Sequence, residues 1–157
     1  MVQRTTDPLG FRSAFEAVRQ RTHSGLVIAV AAILDSQLER CLKQAMQPLS
    51  KKMYAELFDP MRALGSFASK ITMAYALGII ARDVYVQLEK VRKLRNAFAH
   101  SSDLLHFRSP SIAPLIDRLK QPEPPQAKAL DAQFLDCIVP IDRALDAFLA
   151  KRNVRPQ

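Results

Sequence analysis

Apolar residues recur along this chain at intervals of three and four, the spacing that lines them up on one face of an α-helix. The clearest stripe is Leu26, Val30, Leu34, Leu38, Cys41, Leu42 and Ala45. It predicts a helix that opens at Ser24-Gly25 and ends at Pro48, with Glu39 and Lys43 paired i,i+4 outside the stripe. Upstream, Asp7-Pro8 reads as a cap followed by proline in the first turn, and Phe11, Phe15 and Val18 predict a helix to about Arg21. Residues 49 to 65 read as a connection with helical content around Met53 to Phe58, closed by Asp59-Pro60 and Gly65.

Ser66 is the expected cap of a further helix with the stripe Phe67, Ile71, Ala74, Leu77 and Ile80. Gly78, inside that stripe, is expected to permit a close helix–helix approach at a propensity cost of about 1 kcal/mol. Asp83 is the expected cap of the next helix, whose seam is Val84, Leu88, Val91, Leu94 and Phe98. The pattern then decays through Ser101-Ser102 and Pro110 to Pro114, with one or two turns over Ile112 to Leu119. Residues 121–126 form a proline-rich, stiff linker. A last helix runs from about Ala127 to Arg152, burying Leu130, Phe134, Ile138, Ile141, Leu145 and Phe148, with a kink at Pro140. The expected fold is an all-α, up-and-down helical bundle of five or six helices, one domain across residues 1–157.

Composition narrows the class without changing that picture. With 48% hydrophobic and 24% charged residues the chain has the make-up of a globular domain. Its four glycines are too few for a turn-rich β-sandwich. Cys41 and Cys137 lie in apolar helical patterns and form no CxxC pair, so they read as buried small hydrophobes in a reduced compartment. The apolar run Gly25 to Leu34 continues into Asp35, Glu39 and Arg40 and is shorter than the roughly 20 residues a membrane span needs. No membrane partner is expected, and a cytoplasmic location follows. The net charge of +8 shifts the expectation toward a polyanionic partner.

The residues with chemical capacity gather near the end of the helix after Asp83. Arg95 is four residues after Val91 and three before Phe98, on or beside the apolar seam, where an unpaired guanidinium is costly. Asn96 and His100 are i,i+4 neighbours, Arg92 is four before Asn96, and Lys93 adds charge. Metal-independent RNA cleavage uses such a set. An imidazole moves the proton of a ribose 2′-hydroxyl, or protonates the leaving oxygen, and an arginine fork stabilises the charge on the phosphorus-centred transition state. Asn96 could orient the phosphate or fix the histidine. One histidine per strip predicts a homodimer that supplies both base and acid. Asp35 and Glu39 are the expected supports, with at least one of them paired to Arg92 or Arg95.

The run Arg95-Asn96-Ala97-Phe98-Ala99-His100 resembles the Arg-x4-6-His signature of the HEPN superfamily, helical dimeric domains of which many are ribonucleases. The resemblance implies catalytic roles for Arg95 and His100 and a supporting one for Asn96. Ser102 stands where many of its toxins carry a tyrosine, which implies no tyrosine-directed modification here. A second resemblance spans Gly25 to His100. Leu34-Asp35, Leu38-Glu39, Leu64-Gly65-Ser66-Phe67, Lys70-Ile71, Ala74-Tyr75-Ala76-Leu77-Gly78-Ile79-Ile80 and the Arg-rich helix are similar to the mannitol operon repressor family. That resemblance implies an all-α regulator without a helix-turn-helix, acting through protein partners.

Two functional expectations therefore stand: a regulator with an RNA-cleaving site, and a non-catalytic regulator using the same surface to contact a protein. A third reading is structural, with Arg95 and His100 tying the helix end to its neighbours through Asp35 or Glu39. His23 and His106 read as isolated surface or boundary residues. No metal-ligand spacing, phosphate loop or nucleophile motif occurs, so neither a metal nor a cofactor is expected.

Overall fold

The computed structural model describes residues 23–101, 105–119 and 129–152, and these are all-α. The helix expected from Asp7 to Arg21, the linker 121–126 and Ser102 lie outside the described residues. The helices are α1 (His23–Ala45), α2 (Lys51–Phe58), α3 (Phe67–Ala76), α4 (Arg82–Ala99), α5 (Ala113–Asp117) and α6 (Leu130–Arg152).

Helix α1 is the hub, packing against α3, α4 and α6, while α4 also meets α3, α5 and α6. Being enclosed on several sides, α1 buries Val27, Ala31 and Gln37 in addition to its expected stripe as far as Leu42, with Ala45 half-buried. The seam of α4 is buried at Leu88, Val91, Leu94 and Phe98, with Val84 packed at its edge. On α6 the buried set includes Phe134, Ile138, Ile141 and Leu145, but near its end Leu149 is buried and Phe148 only half so. Pro140 lies within α6 at an exposed position.

A polar ladder joins α1 to α6 beside this apolar packing. The fully buried Gln37 donates through Nε2 to Asp142 Oδ1 at 2.6 Å and to Asp146 Oδ1 at 3.4 Å. Cys41 Sγ donates to the Leu145 carbonyl (3.7 Å), and Gln44 Nε2 to that of Leu149 (3.1 Å). Burial foremost, then the neighbouring Asp142, pushes the Asp146 carboxyl above its ordinary range.

The ends of α3 differ in how well the chain announces them. Ser66 caps it as expected, in a box with Ser69 in which each side chain bonds the other residue's backbone N–H. The helix stops at Ala76, however, and does not continue through Ile80. Gly78 has φ +67°, its N–H donates to the Tyr75 carbonyl, and the Ile79 N–H donates to that of Ala74. These two bonds form a Schellman motif, so Gly78 terminates the helix. The close approach expected there is absent, since a Cβ on Gly78 would meet nothing within 4 Å. Gly65 is the tightly packed glycine, within its own turn: a Cβ there would lie 2.2 Å from the Asp59 carbonyl oxygen. Ala81, not Asp83, is the N-cap of α4, and Asp83 sits in the first turn, where its charge complements the helix dipole.

Candidate functional site

The end of α4 meets α1 and the start of α3 around a cleft of about 300 Å³. Ile28, Ala31, Ala32 and Asp35 of α1 line one side, and Gly65, Ser66 and Phe67 lead into α3 on another. Arg95 of α4 completes the lining. Small residues at 31, 32 and 65 leave the space open, and the crowded Asp59–Gly65 turn fixes the Ser66 edge. That turn is held by bonds from the Leu64 N–H to the Leu57 carbonyl (2.8 Å) and from the Gly65 N–H to that of Arg62 (3.0 Å).

Beneath the cleft lies a charge cluster that the chain's pattern did not predict. Lys70 is 3% exposed, and its Nζ sits 3.0 Å from Asp35 Oδ2 and 2.8 Å from Glu39 Oε2. Lys43 binds Glu39 from the other side at 2.6 Å. Burial alone would raise the Glu39 carboxyl, but bonds from Lys43 and Lys70 outweigh it and hold the group below its ordinary range. Burial likewise opposes the charge on Lys70, while Glu39 and Asp35 overcome it and hold the ammonium above its ordinary range.

Asp35 and Glu39 therefore do not pair with Arg92 or Arg95 as expected; Lys70 takes both. A buried lysine solves the same electrostatic problem from α3, with a short point charge that fits between the carboxylates. The chain carries only part of its signal. Lys70 lies three after Phe67 and four before Ala74, on the inward face of α3, opposite an acidic i,i+4 pair that needs a cation.

The α4 residues are disposed unequally. Arg92 makes a two-pronged pair with Glu89, Nε to Oε1 at 3.0 Å and Nη2 to Oε2 at 2.8 Å, which neutralises it within its own helix. Lys93 and Arg95 are exposed. Arg95 Nη1 donates to Asn96 Oδ1 at 3.1 Å, which orients the guanidinium without cancelling its charge. His100 is the exposed C-cap of α4, its backbone N–H donating to the Asn96 carbonyl. Among the described residues no side-chain contact ties its imidazole. Neither Arg95 nor His100 therefore ties α4 to another helix among the described residues, and neither meets Asp35 or Glu39 as the structural reading expects. No group of three or more metal-ligating side chains occurs among the described residues.

His23 and His106, expected to be isolated, lie together with ring centroids 5.9 Å apart. They are remote in sequence, and no pattern pairs them. No helix among the described residues is long and apolar enough to cross a membrane.

This arrangement defines an all-α bundle with a charged cleft at the end of its motif helix, and the comparisons bear on that class. No family model matches the chain, and no curated protein matches it in sequence. Among solved structures, the X-ray structure of the MtlR–HPr complex from Escherichia coli is similar. The TM-score is 0.60 at 20% identity, covering 90% of this chain and 92% of that chain. The chain thus has the fold of MtlR, the mannitol operon regulator.

Proposed function

We propose that this chain is a regulatory protein that works by recognising a protein partner, with the end of α4 and the adjoining cleft as its contact surface. The carrying observation is that Lys70 pairs with Asp35 and Glu39, leaving Arg95 exposed at the cleft with no carboxylate partner among the described residues. Lys93 and His100 are also exposed near this end of α4. The fold likeness to a chain solved in complex with HPr supports an HPr-type protein as the partner. Calorimetric titration of the chain with HPr from the same cell tests this. Saturable binding is expected, weakened about tenfold or more by Arg95→Ala, an arginine at the centre of the contact. Lys51→Ala, in α2, should bind like the unaltered chain. No heat of binding at partner concentrations of roughly 100 μM would sink the reading.

A second reading is metal-independent endoribonuclease activity in a homodimer that brings two copies of the Arg95, Asn96 and His100 set together. What favours it is the exposed His100 ring, without a side-chain partner among the described residues and five residues after an oriented guanidinium. Single-stranded RNA incubated with the protein in EDTA would be cut, and His100→Ala would slow cutting by about 10²- to 10⁴-fold. Light scattering would report the dimer. RNA left intact, or cut equally by His100→Ala, removes this reading and leaves the first untouched.

A further inference from the structure

Three helices converge on Phe107, which is 2% exposed in the connection after α4. Its ring meets Phe98 of α4 at 6.0 Å and Phe134 of α6 at 5.5 Å between centroids. Against α1 the contact is double. The imidazole of His23 stacks on the Phe107 ring at 4.1 Å and 5°, and His23 Nδ1 accepts the Phe107 backbone N–H at 3.0 Å. Phe98 lies two residues before His100, so this aromatic cluster joins the start of α1 to the motif end of α4.

A ring nitrogen that accepts a hydrogen bond carries no proton, so His23 is held neutral with its proton on Nε2. Adding a second proton places a donor on Nδ1, facing the donor N–H of Phe107. The bond is lost, and the Phe107 N–H is left without that acceptor beside a ring shielded from water. The groups facing His23 pull in two directions. His106, edge-on in the same connection, opposes a second positive charge, and Asp131 in the first turn of α6 favours it. The face of Phe107 would also attract an imidazolium. Burial comes first among the causes, His106 adds to it, and together they outweigh Asp131, so the His23 imidazole is held below its ordinary range.

We propose that His23 is an acid-opened clasp: its neutral ring pins Phe107, and its protonation frees Phe107 from its seat against Phe98 at the end of α4. The clasp is independent of what that segment binds. It makes the seating of Phe107 against Phe98 a function of pH in the mildly acidic range, below the ordinary histidine value of about 6.5.

Hydrogen exchange at the Phe107 amide tests this, followed by NMR from pH 7.5 to pH 5 beside the His23 ring resonances. Expressed as a protection factor, which removes the intrinsic pH dependence of exchange, protection should fall about tenfold or more. The fall should share the midpoint of the His23 titration, while the Leu94 amide in the core keeps its protection. In His23→Asn the side-chain oxygen can accept the same N–H without titrating, and Phe107 protection should become flat across this range. In His106→Ala, with one opposing group removed, both midpoints should move upward together. Constant Phe107 protection through the His23 titration would overturn the clasp, as would a fall that persists in His23→Asn. If His23→Asn does not fold, the His106→Ala arm decides, because midpoints that separate there refute the coupling.

Discussion

Replacing Lys70 with methionine removes the charge and keeps a side chain of similar length and flexibility in a position that is 3% exposed. Asp35 would lose the partner of Oδ2, and its Oδ1 is already buried without a hydrogen bond among the described residues. Breaking a fully buried pair costs about 3–5 kcal/mol. Here the Asp35 and Glu39 side chains retain 32% and 27% exposure, and Glu39 keeps Lys43, so water and a second cation absorb part of the loss. We expect about 2–3 kcal/mol at neutral pH, read as a lower urea midpoint at unchanged slope.

The pH dependence of this cluster has two limits. Glu39 is held below its unfolded value, so its contribution is present above about pH 4.5 and is lost as pH falls through the folded value. Lys70 is held above its unfolded value, so its contribution is present below about pH 10.5 and is lost as pH rises through the folded value. The triple variant Lys70→Met, Asp35→Asn, Glu39→Gln should recover most of the loss, because no buried charge is left without a partner and Lys43, which loses Glu39, is exposed enough to be solvated. A single variant within about 0.5 kcal/mol of the parent would refute the assignment of Lys70 as the neutralising cation. So would a triple variant no more stable than the single one.

Gly65→Ala should destabilise by more than about 2 kcal/mol, since its Cβ meets backbone atoms of Asp59 and Pro60 that cannot rotate away. Gly78→Ala has open space but keeps φ +67°, so about 1–2 kcal/mol is expected; denaturant titration of both variants checks the order. Asp146→Asn should stabilise the protein at pH 7, because burial and Asp142 disfavour the charge. That gain should vanish in acid, where the folded protein already binds the proton, and melting curves at two pH values would reveal it. Burial pushes the Cys41 thiol up to about 12 and that of Cys137 up to about 11. A disulfide reagent at pH 8 should therefore label neither thiol in the folded protein and both after unfolding.

The apolar spacing carried most of the helical layout because Leu26 to Leu42 and Leu88 to Phe98 repeat at helical intervals that only one face can satisfy. The end of α3 was misread because Leu77, Ile79 and Ile80 are apolar too. The spacing cannot distinguish a helix that continues from one that turns at a glycine and tucks its next isoleucine against the core. At the candidate site, Asn96 and His100 were legible as helix neighbours, since a four-residue separation fixes a shared face, with Arg95 about 100° round the helix from Asn96. Their electrostatic partners were not. Whether Asp35 meets Arg95 or Lys70 depends on how three helices rotate about one another, which residue spacing within each helix does not encode. The meeting of His23 with Phe107 spans 84 positions and is likewise invisible before the fold closes.

The ladder from α1 to α6 sets an order on synthesis as well as on packing. Gln37 and Asp142 are 105 positions apart, and Gln44 and Leu149 are equally distant. At about 5–20 residues per second, the face of α1 destined for α6 waits roughly 5–20 s for its cover. During that interval the face of α1 that carries Gln37, Cys41 and Gln44 lacks the cover of α6, and the Cys41 thiol lacks the burial that later makes it inert. A nascent chain stalled before Asp142 would thus expose an oxidisable, sticky helix at the centre of the future bundle. Such a chain is a natural client for a chaperone that holds apolar helices until the last one arrives.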